Sequence, residues 1–277
     1  MTPEKSHIST DVHNALIEDI GTGDVTAALL PADKIVDAVI ISREAMLVCG
    51  QPWVECTFAE VDPTIMIHWV VDEGAWLDKP STLCHIHGPA RSILTAERIA
   101  LNFLQTLSAT ATQTHYYLQA LQGYETRLLD TRKTLPGLRR AQKYAVTCAG
   151  GTNHRLGLYD AFLIKENHIK ACGSIGAAIA LARQGEPNLL VEIEVETLDE
   201  LSQALECMPD RIMLDNFTLQ MLEDAVAMNQ HRCKLEASGG VDLSTIARIA
   251  QTGVDYISVG AITKSVQAID LSLLIRD

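Results

Sequence analysis

The chain has 277 residues, of which 47% are hydrophobic and 21% are charged. This composition is typical of a folded protein of one or two domains and excludes global disorder. With 22 Lys and Arg against 35 Asp and Glu, the net charge is −13, so nucleic acid and anionic membranes are not expected as partners. No apolar run approaches the roughly 18 residues that would predict a membrane span.

The N-terminal sequence has no basic start followed by an apolar run, so we expect no secretory signal. Seven cysteines are scattered along the chain without a CxxC pair. This pattern argues against a disulfide framework or a structural zinc site, and it favours a cytoplasmic protein.

The first part of the chain is rich in strand signals. Residues 37–50, 64–77 and 81–94 are rich in β-branched residues and are separated by Pro, Gly and Asp, which predicts short strands. A long helical pattern starts at Thr95, a suitable N-cap, with Glu97 in the first turn. We place the end of this part near residue 110.

From Tyr124 onward, short apolar runs alternate with helical patterns. This rhythm predicts βα units and a parallel sheet. Six strand-like units are present, and each ends in a polar or glycine-rich cluster. Six units are too few for an eight-stranded barrel, so the sequence predicts an irregular or incomplete α/β barrel. An open doubly wound sheet is the structural alternative.

Positive charge is concentrated in one segment of this acidic chain. Between Arg127 and Lys170 there are nine Lys and Arg residues and three acids, a local charge of +6. A solvated basic face and a pocket for a small, strongly anionic ligand are equally good explanations of the charge alone.

Charged residues also follow successive predicted strands. Arg132, Lys133, Lys165, Glu194 and Asp215 stand at strand ends, and His154 with Arg155 lies between the first two strands. Carboxyl ends of parallel strands converge on one face, so these side chains are expected to meet there. The cations suit carboxylate and phosphate groups, and the two acids suit ribose hydroxyls or Mg²⁺.

Two small-residue clusters end the last two predicted strands. They are Ser238-Gly239-Gly240 and Val259-Gly260-Ala261. Backbone N–H groups in such turns form phosphate cradles, and phosphate sites of barrels often follow the final strands. Each tripeptide by itself is most often a simple turn.

The residues that carry these signals occur in a specific order along nearly the whole chain. EDIGTGDVT (18–26), TAERIALNFLQTLS (95–108), LDTRKTLPGLRRAQKYAVTCAGGTNHRLGLYDAFLIKENHI (129–169), VEIEVE, MLDN, EASGG and TGVDYISVGAIT (252–263) together resemble the quinolinate phosphoribosyltransferase family. Ala109 departs from the family, which more often has glycine there. The resemblance implies an N-terminal α/β sandwich over 1–110, joined by a tail at 268–277, and a barrel over 111–267.

The resemblance also implies how the acceptor is bound. Arg132, His154, Arg155 and Lys165, together with Arg98, would bind the two carboxylates of quinolinate. In this family the arginine at the position of Arg98 comes from the neighbouring subunit. A homodimer with shared active sites, or a hexamer, is therefore implied.

The same resemblance assigns the phosphoribosyl pyrophosphate half of the site. Lys133, Glu194 and Asp215 would be the catalytic residues, and they would bind phosphoribosyl pyrophosphate with its Mg²⁺, the two acids acting directly or through water or substrate. Thr131 belongs to the substrate-binding Thr-Arg-Lys motif. The 5′-phosphate would be held by Ser238, Gly239, Gly240, Val259, Gly260 and Ala261.

The implied reaction is Mg²⁺-dependent transfer of phosphoribosyl to quinolinate with decarboxylation, which gives nicotinate mononucleotide, pyrophosphate and CO₂ for NAD synthesis. The alternatives are a related phosphoribosyltransferase, either one encoded with molybdate-transport genes or a nicotinate-using one, a non-catalytic ligand sensor, and an unrelated sugar-phosphate barrel enzyme. Intact Thr131-Arg132-Lys133, Asn153-His154-Arg155 and Lys165 favour quinolinate as the acceptor. His85 and His87 could ligate a metal, but no third ligand is evident, and we interpret them as ordinary core or surface residues.

Overall fold

The computed structural model describes residues 4–276. The chain divides into two compact units. The first comprises the chain up to His115, Leu135–Gly150, and the chain from Thr263 onward; the second comprises Tyr116–Thr134 and Gly151–Ile262. Among the described residues, none of the helices combines the length and the apolar character needed to cross a membrane.

The described part of the first unit is built on antiparallel strands and α-helices. Its elements are α1 (Lys5–Ile20), β1 (Ile35–Ser42), β2 (Met46–Leu47), α2 (Gln51–Val61), β3 (Met66–Trp69), β4 (Trp76–Leu77), β5 (Thr82–Pro89), most of α3 (Ala90–Ala120) and α4 (Arg139–Cys148). The C-terminal strand β12 (Leu271–Arg276) also belongs to this unit. A four-stranded sheet has the order β12-β1-β5-β3. The C-terminal strand pairs antiparallel with β1, from Asp37 opposite Arg276 to Ser42 opposite Leu271.

Helix α4 lies in the first unit although its sequence follows the first strand of the second. Its Ala141 and Ala145 are fully buried in an apolar cluster with Ile8, Trp53 and other residues of that unit. The sequence predicts this segment to be part of the barrel domain, because the βα rhythm includes a helix after each strand. Burial of the apolar face of the helix decides where it packs, whichever strand precedes it.

The second unit is a parallel α/β structure. Its elements are β6 (Arg127–Leu129), β7 (Ala161–Ile164), α5 (Glu166–Cys172), α6 (Ile175–Gly185), β8 (Leu190–Val195), α7 (Leu198–Glu206), β9 (Arg211–Asp215), α8 (Leu219–Asn229), β10 (Lys234–Ser238), α9 (Ile246–Gln251), β11 (Tyr256–Ser258) and the short α10 (Ala261–Lys264) near its end. All six strands form one sheet in the order β6-β11-β10-β9-β8-β7. Within the described residues β6 and β7 are not paired with each other, so the barrel is incomplete, as the sequence predicts.

Helices of the second unit begin directly after strands because capping residues stand there. Thr197 accepts a hydrogen bond from the Glu200 N–H (3.2 Å), and Thr218 accepts one from the Met221 N–H (3.3 Å). Such caps satisfy N–H groups that a helix leaves without internal partners. Strands β8 and β9 are therefore followed by short turns into α7 and α8, which place their last side chains at the rim of the sheet.

Candidate active site

A cavity of about 410 Å³ opens in the second unit at the carboxyl ends of the strands. Nine of the predicted site residues line it. Seven lie at or just beyond strand ends, and His154 and Arg155 lie in the connection before β7: Thr131, Arg132, Lys133, His154, Arg155, Lys165, Glu194, Asp215 and Ser238. Leu163, Met213 and Ser258 complete its lining. The convergence that the strand-end rule predicts is thus present.

Two arginines form the cationic side of this cavity. Burial, followed by the positive charge of nearby Arg132, lowers the pKa of Arg155. One nitrogen of Arg155, Nη1, donates a hydrogen bond to the carbonyl of Ala161 (3.2 Å). Two guanidinium groups held close enough to repel each other form a site suited to a ligand with more than one negative charge.

The loop that carries Arg155 is fixed by acidic side chains. The Asp130 carboxylate, fully buried, accepts the His154 N–H (2.8 Å). The Asp160 carboxylate accepts the N–H groups of Leu156 (2.6 Å) and Gly157 (3.0 Å). This network gives the loop a defined conformation before any ligand binds.

Lys165 and the two strand-end acids also line the cavity. Lys165 Nζ contacts Glu194 Oε2 directly. Asp215 Oδ2 accepts a hydrogen bond from Asn216 Nδ2 (2.8 Å). The two acids end the neighbouring strands β8 and β9, and their oxygen atoms are the donors that Mg²⁺ prefers.

Asn216 connects the ends of β9 and β10, and the sequence analysis did not single it out. It adopts φ 57°, and its N–H donates to the Ser238 carbonyl (2.9 Å). A Cβ atom at Gly239 would lie 2.1 Å from Asn216 Oδ1, so glycine is required there by close packing as well as by its φ of 96°. Asn216 therefore orients Asp215 and shapes the predicted phosphate turn.

The remaining predicted phosphate residues have varied environments. Gly240 also adopts a positive φ, 62°. The Val259 N–H donates to the Leu129 carbonyl (3.0 Å), so it belongs to the sheet's own hydrogen bonding. A Cβ atom at Gly260 would lie 3.1 Å from Lys133 Cδ, and Ala261 begins α10. Gly260 thus leaves room for the Lys133 side chain.

Arg98 is placed differently from the other predicted site residues. It lies on α3 within the first unit, and its side chain is exposed. Its predicted role requires a neighbouring subunit and stays a prediction.

The second unit also contains a buried cluster of charged residues that the sequence does not predict. Glu192 on β8, Arg211 on β9 and Glu236 on β10 are 1%, 13% and 0% exposed in their side chains. Burial, followed by the charge of Glu192, raises the pKa of Glu236 to about 7, and burial raises the pKa of Glu192. The alternation of side chains along a strand could have revealed Glu192, because it lies two residues before Glu194 and therefore shares its face of β8.

Family models match nearly the whole chain. The N-terminal domain of quinolinate phosphoribosyl transferase matches residues 24–108, and its C-terminal domain matches residues 110–274. The chain belongs to the quinolinate phosphoribosyl transferase family. The prediction from the ordered motifs is confirmed.

Named relatives of this family resemble the chain over most of their length. A Nicotiana glauca protein named quinolinate phosphoribosyltransferase [decarboxylating] 2, mitochondrial, is 42% identical over 94% of this chain and 80% of its own length. An Arabidopsis thaliana protein named nicotinate-nucleotide pyrophosphorylase [carboxylating], chloroplastic, is 40% identical over the same shares. A solved nicotinate-nucleotide pyrophosphorylase from Francisella tularensis matches with a TM-score of 0.97 at 46% identity, covering 99% of this chain and 98% of that one.

Proposed function

We propose that this chain transfers the phosphoribosyl group of phosphoribosyl pyrophosphate to quinolinate and releases pyrophosphate and CO₂, forming nicotinate mononucleotide for NAD synthesis. The observation that carries the proposal is the cavity itself, which is lined by the cations Arg132, Arg155 and Lys165 together with the Glu194 and Asp215 carboxylates. Both substrates are polyanions, and family membership together with the names of the relatives supports this pair.

The cationic side of the cavity is proposed to bind the acceptor. Arg132 and Arg155 present guanidinium groups that pair with carboxylates through two parallel hydrogen bonds. Lys165 adds a point charge at the rim. Arg98 of a neighbouring copy is proposed to complete the set, which makes the working form a homodimer or a hexamer with shared sites.

Lys133 and the strand-end acids are proposed to bind phosphoribosyl pyrophosphate and Mg²⁺. The residues fit a hard cation, because Glu194 and Asp215 offer carboxylate oxygens on adjacent strands and Asn216 orients one of them. Mg²⁺ bound there would neutralise charge on the leaving pyrophosphate. Lys133 adds positive charge to the same end, and Thr131 Oγ1 accepts the Lys133 N–H (3.0 Å), which shapes that turn.

The phosphate of the ribosyl group is proposed to lie at the turns after β10 and β11. Ser238 lines the cavity, and Gly239 and Gly240 continue from it with positive φ angles. Gly260 and Ala261 supply the second turn. Val259 supports this turn through its hydrogen bond to Leu129.

The chemistry follows from two anions held side by side. The pyridine nitrogen forms a bond to the anomeric carbon as the bond from that carbon to pyrophosphate breaks. Carboxylates nearby stabilise the positive charge that develops on the ribosyl group. The quaternised ring then accepts the electron pair of the bond to its 2-carboxylate, CO₂ leaves, and the ring carbon takes a proton. Positioning contributes most of the acceleration.

We also propose that the protein works in the cytoplasm. All seven cysteines are free thiols, which supports a reducing compartment.

The experiment that tests this function uses the purified chain with quinolinate, phosphoribosyl pyrophosphate and Mg²⁺, and follows nicotinate mononucleotide and CO₂ together. Equal amounts of both products, dependent on Mg²⁺, support the proposal. Binding of phosphoribosyl pyrophosphate with neither product contradicts it and indicates another acceptor, as in the related phosphoribosyltransferases.

A further inference from the structure

The first unit contains two cysteines whose sulfur atoms lie close together, away from the cavity residues described above. Cys49 follows β2 and is fully buried, and Cys148 is the last residue of α4 and is partly exposed. Their Sγ atoms and one carboxylate oxygen of Glu73 all lie within 4.8 Å of one another. Both cysteines are free thiols. They are distant in the sequence, so the fold of this unit is what brings them together.

The fold fixes the position of each sulfur through the surrounding backbone. The buried Ser108 hydroxyl accepts the Cys49 N–H (3.0 Å) and donates to the Cys49 carbonyl (3.0 Å). On the other side, Gly74 packs against the second thiol, since a Cβ atom there would lie 3.5 Å from Cys148 Sγ. The two thiols are therefore held as neighbours by main-chain packing as well as by their own side chains.

Glu73, the third member of the group, already has structural partners. Its Oε1 accepts the Gly50 N–H (2.8 Å) and the Tyr144 O–H (2.9 Å), and its Oε2 accepts the Gln51 N–H (3.1 Å). These bonds satisfy backbone donors at the start of α2 that a helix leaves without internal partners. The carboxylate is thus explained by the fold, and the pair of thiols is the part of the group that is available for chemistry.

The two thiols differ in their tendency to ionise. Burial, followed by the hydrogen bond to Cys148, raises the pKa of Cys49 well above its usual value. The hydrogen bond from Cys49 lowers the pKa of Cys148, against the opposing effects of burial and of the Glu73 charge. The thiolate is the reactive form of cysteine. The partly exposed Cys148 is therefore the sulfur that meets an oxidant first, with the protonated Cys49 beside it.

We propose that Cys148 and Cys49 form a reversible disulfide when the protein meets hydrogen peroxide, with Cys148 as the reacting thiol and Cys49 as the resolving thiol. Disulfides of this kind are transient in a reducing compartment and form only while an oxidant is present. The proposal concerns residues of the first unit alone. It does not depend on the proposed phosphoribosyl transfer.

The oxidation proceeds in two steps. The Cys148 thiolate forms a bond to one oxygen of the peroxide as the O–O bond breaks, and the hydroxide that leaves takes the proton released by the Cys148 thiol, giving water and a sulfenic acid. The Cys49 sulfur then forms a bond to the Cys148 sulfur as the S–O bond breaks, and hydroxide leaves with the Cys49 proton as a second water. Two electrons pass from the two sulfurs to the peroxide.

The second step requires the sulfurs to approach to about 2.05 Å. Cys148 is suited to this movement because it ends α4, and the last turn of a helix opens more readily than its middle. Gly150 follows two residues later with φ 94°. Cys49, by contrast, is held on both sides of its backbone by Ser108. We therefore expect the approach to be made by Cys148.

The test treats the folded, purified chain with a small molar excess of hydrogen peroxide, blocks the remaining thiols by alkylation and maps the peptides by mass spectrometry. The expected result is the loss of two of the seven thiols and a cross-linked peptide pair that contains Cys49 and Cys148. Dithiothreitol should restore all seven. Peroxide that leaves both cysteines as thiols, or that joins either one to a different cysteine, would overturn the proposal.

Variants separate the roles of the two thiols. Cys148→Ser should leave Cys49 as a thiol after the same treatment. Cys49→Ala should stop at the sulfenic acid of Cys148, which dimedone traps; if this variant does not fold, dimedone added to the wild type together with peroxide should label Cys148. Cys207→Ser, which changes a partly exposed cysteine at the end of α7, is the matched control and should cross-link as the wild type does. Dimedone labelling of Cys49 in place of Cys148 would contradict the assigned order.

Discussion

Lys165 and Glu194 contact each other at the rim of the cavity, across the neighbouring strands β7 and β8. Lys165 is proposed to bind the acceptor and Glu194 to bind the metal and phosphoribosyl half, so each ligand is expected to compete with this ion pair for its residue. We therefore expect the pair to couple the two halves of the site. When both ligands are bound, Lys165 and Glu194 are each expected to contact a ligand, and the ion pair then no longer competes with either one.

Glu194→Gln is expected to change the affinities for quinolinate and for phosphoribosyl pyrophosphate in opposite directions. Quinolinate should bind up to about fivefold more tightly, because a partly exposed ion pair contributes up to about 1 kcal/mol and its loss releases Lys165. Phosphoribosyl pyrophosphate with Mg²⁺ should bind more weakly. Isothermal titration calorimetry with each ligand alone measures both changes. Glu166→Gln, which affects the exposed pair with Lys170, is the control, and weaker quinolinate binding by Glu194→Gln would contradict the coupling.

Lys133 is expected to act on the pyrophosphate half alone. Lys133→Ala should lower kcat/KM for phosphoribosyl pyrophosphate on the order of 100-fold, as loss of one transition-state donor does, without changing thermal stability. Gly260→Ala tests the same side chain from its neighbour, since the new Cβ would lie 3.1 Å from Lys133 Cδ. Its effect should disappear in the Lys133→Ala background, because the two changes act on one group. Steady-state kinetics of the four proteins decide this, and additive losses would show that Gly260 acts by another route.

Sharing of sites between copies can be tested by mixing two inactive variants. Arg98→Ala and Arg132→Ala should each lose quinolinate turnover, because each removes a cation for the acceptor carboxylates. Chains of the two kinds that exchange into mixed dimers should recover part of the activity, since one of the two sites then has both arginines. Turnover is followed after co-refolding. Mixed dimers, verified by mass, that stay inactive would rule out the sharing.

The sequence predicts the fold and most of the rim because both depend on local rules. Strand-end residues such as Arg132, Lys165 and Asp215 could be found because parallel strands end on one face. The buried cluster could not, because Arg211 and Glu236 lie within strands, where charged residues normally indicate a solvent-facing position. Only the pairing of β8, β9 and β10 shows that these charges neutralise one another. The surroundings of His154 could not be predicted either, because Glu192 and Glu236, the acids near its imidazole, lie about 40 and 80 residues away in the chain.

The buried cluster should also give the stability of the protein a recognisable pH dependence. The pKa of Glu236 is raised from 4.5 to about 7 by burial and by Glu192, so the folded protein holds a proton that the unfolded chain releases in this range. This group therefore contributes stability that is fully present below the unfolded pKa and is lost as the pH rises through about 7. His154, Arg211 and Glu192 are the charged or titratable neighbours that share the effect.

Glu236→Gln removes that titration while keeping the size of the side chain. Relative to the wild type, the variant should become progressively more stable as the pH rises from about 4.5 to about 7, because only the folded wild type must then retain a proton that its unfolded chain has released. Urea unfolding of both proteins across this range measures the difference in free energy. Glu206→Gln, at the exposed end of α7, should follow the wild type. A difference between Glu236→Gln and wild type that does not change with pH would mean that Glu236 is ionised throughout, with Arg211 and His154 compensating its charge fully.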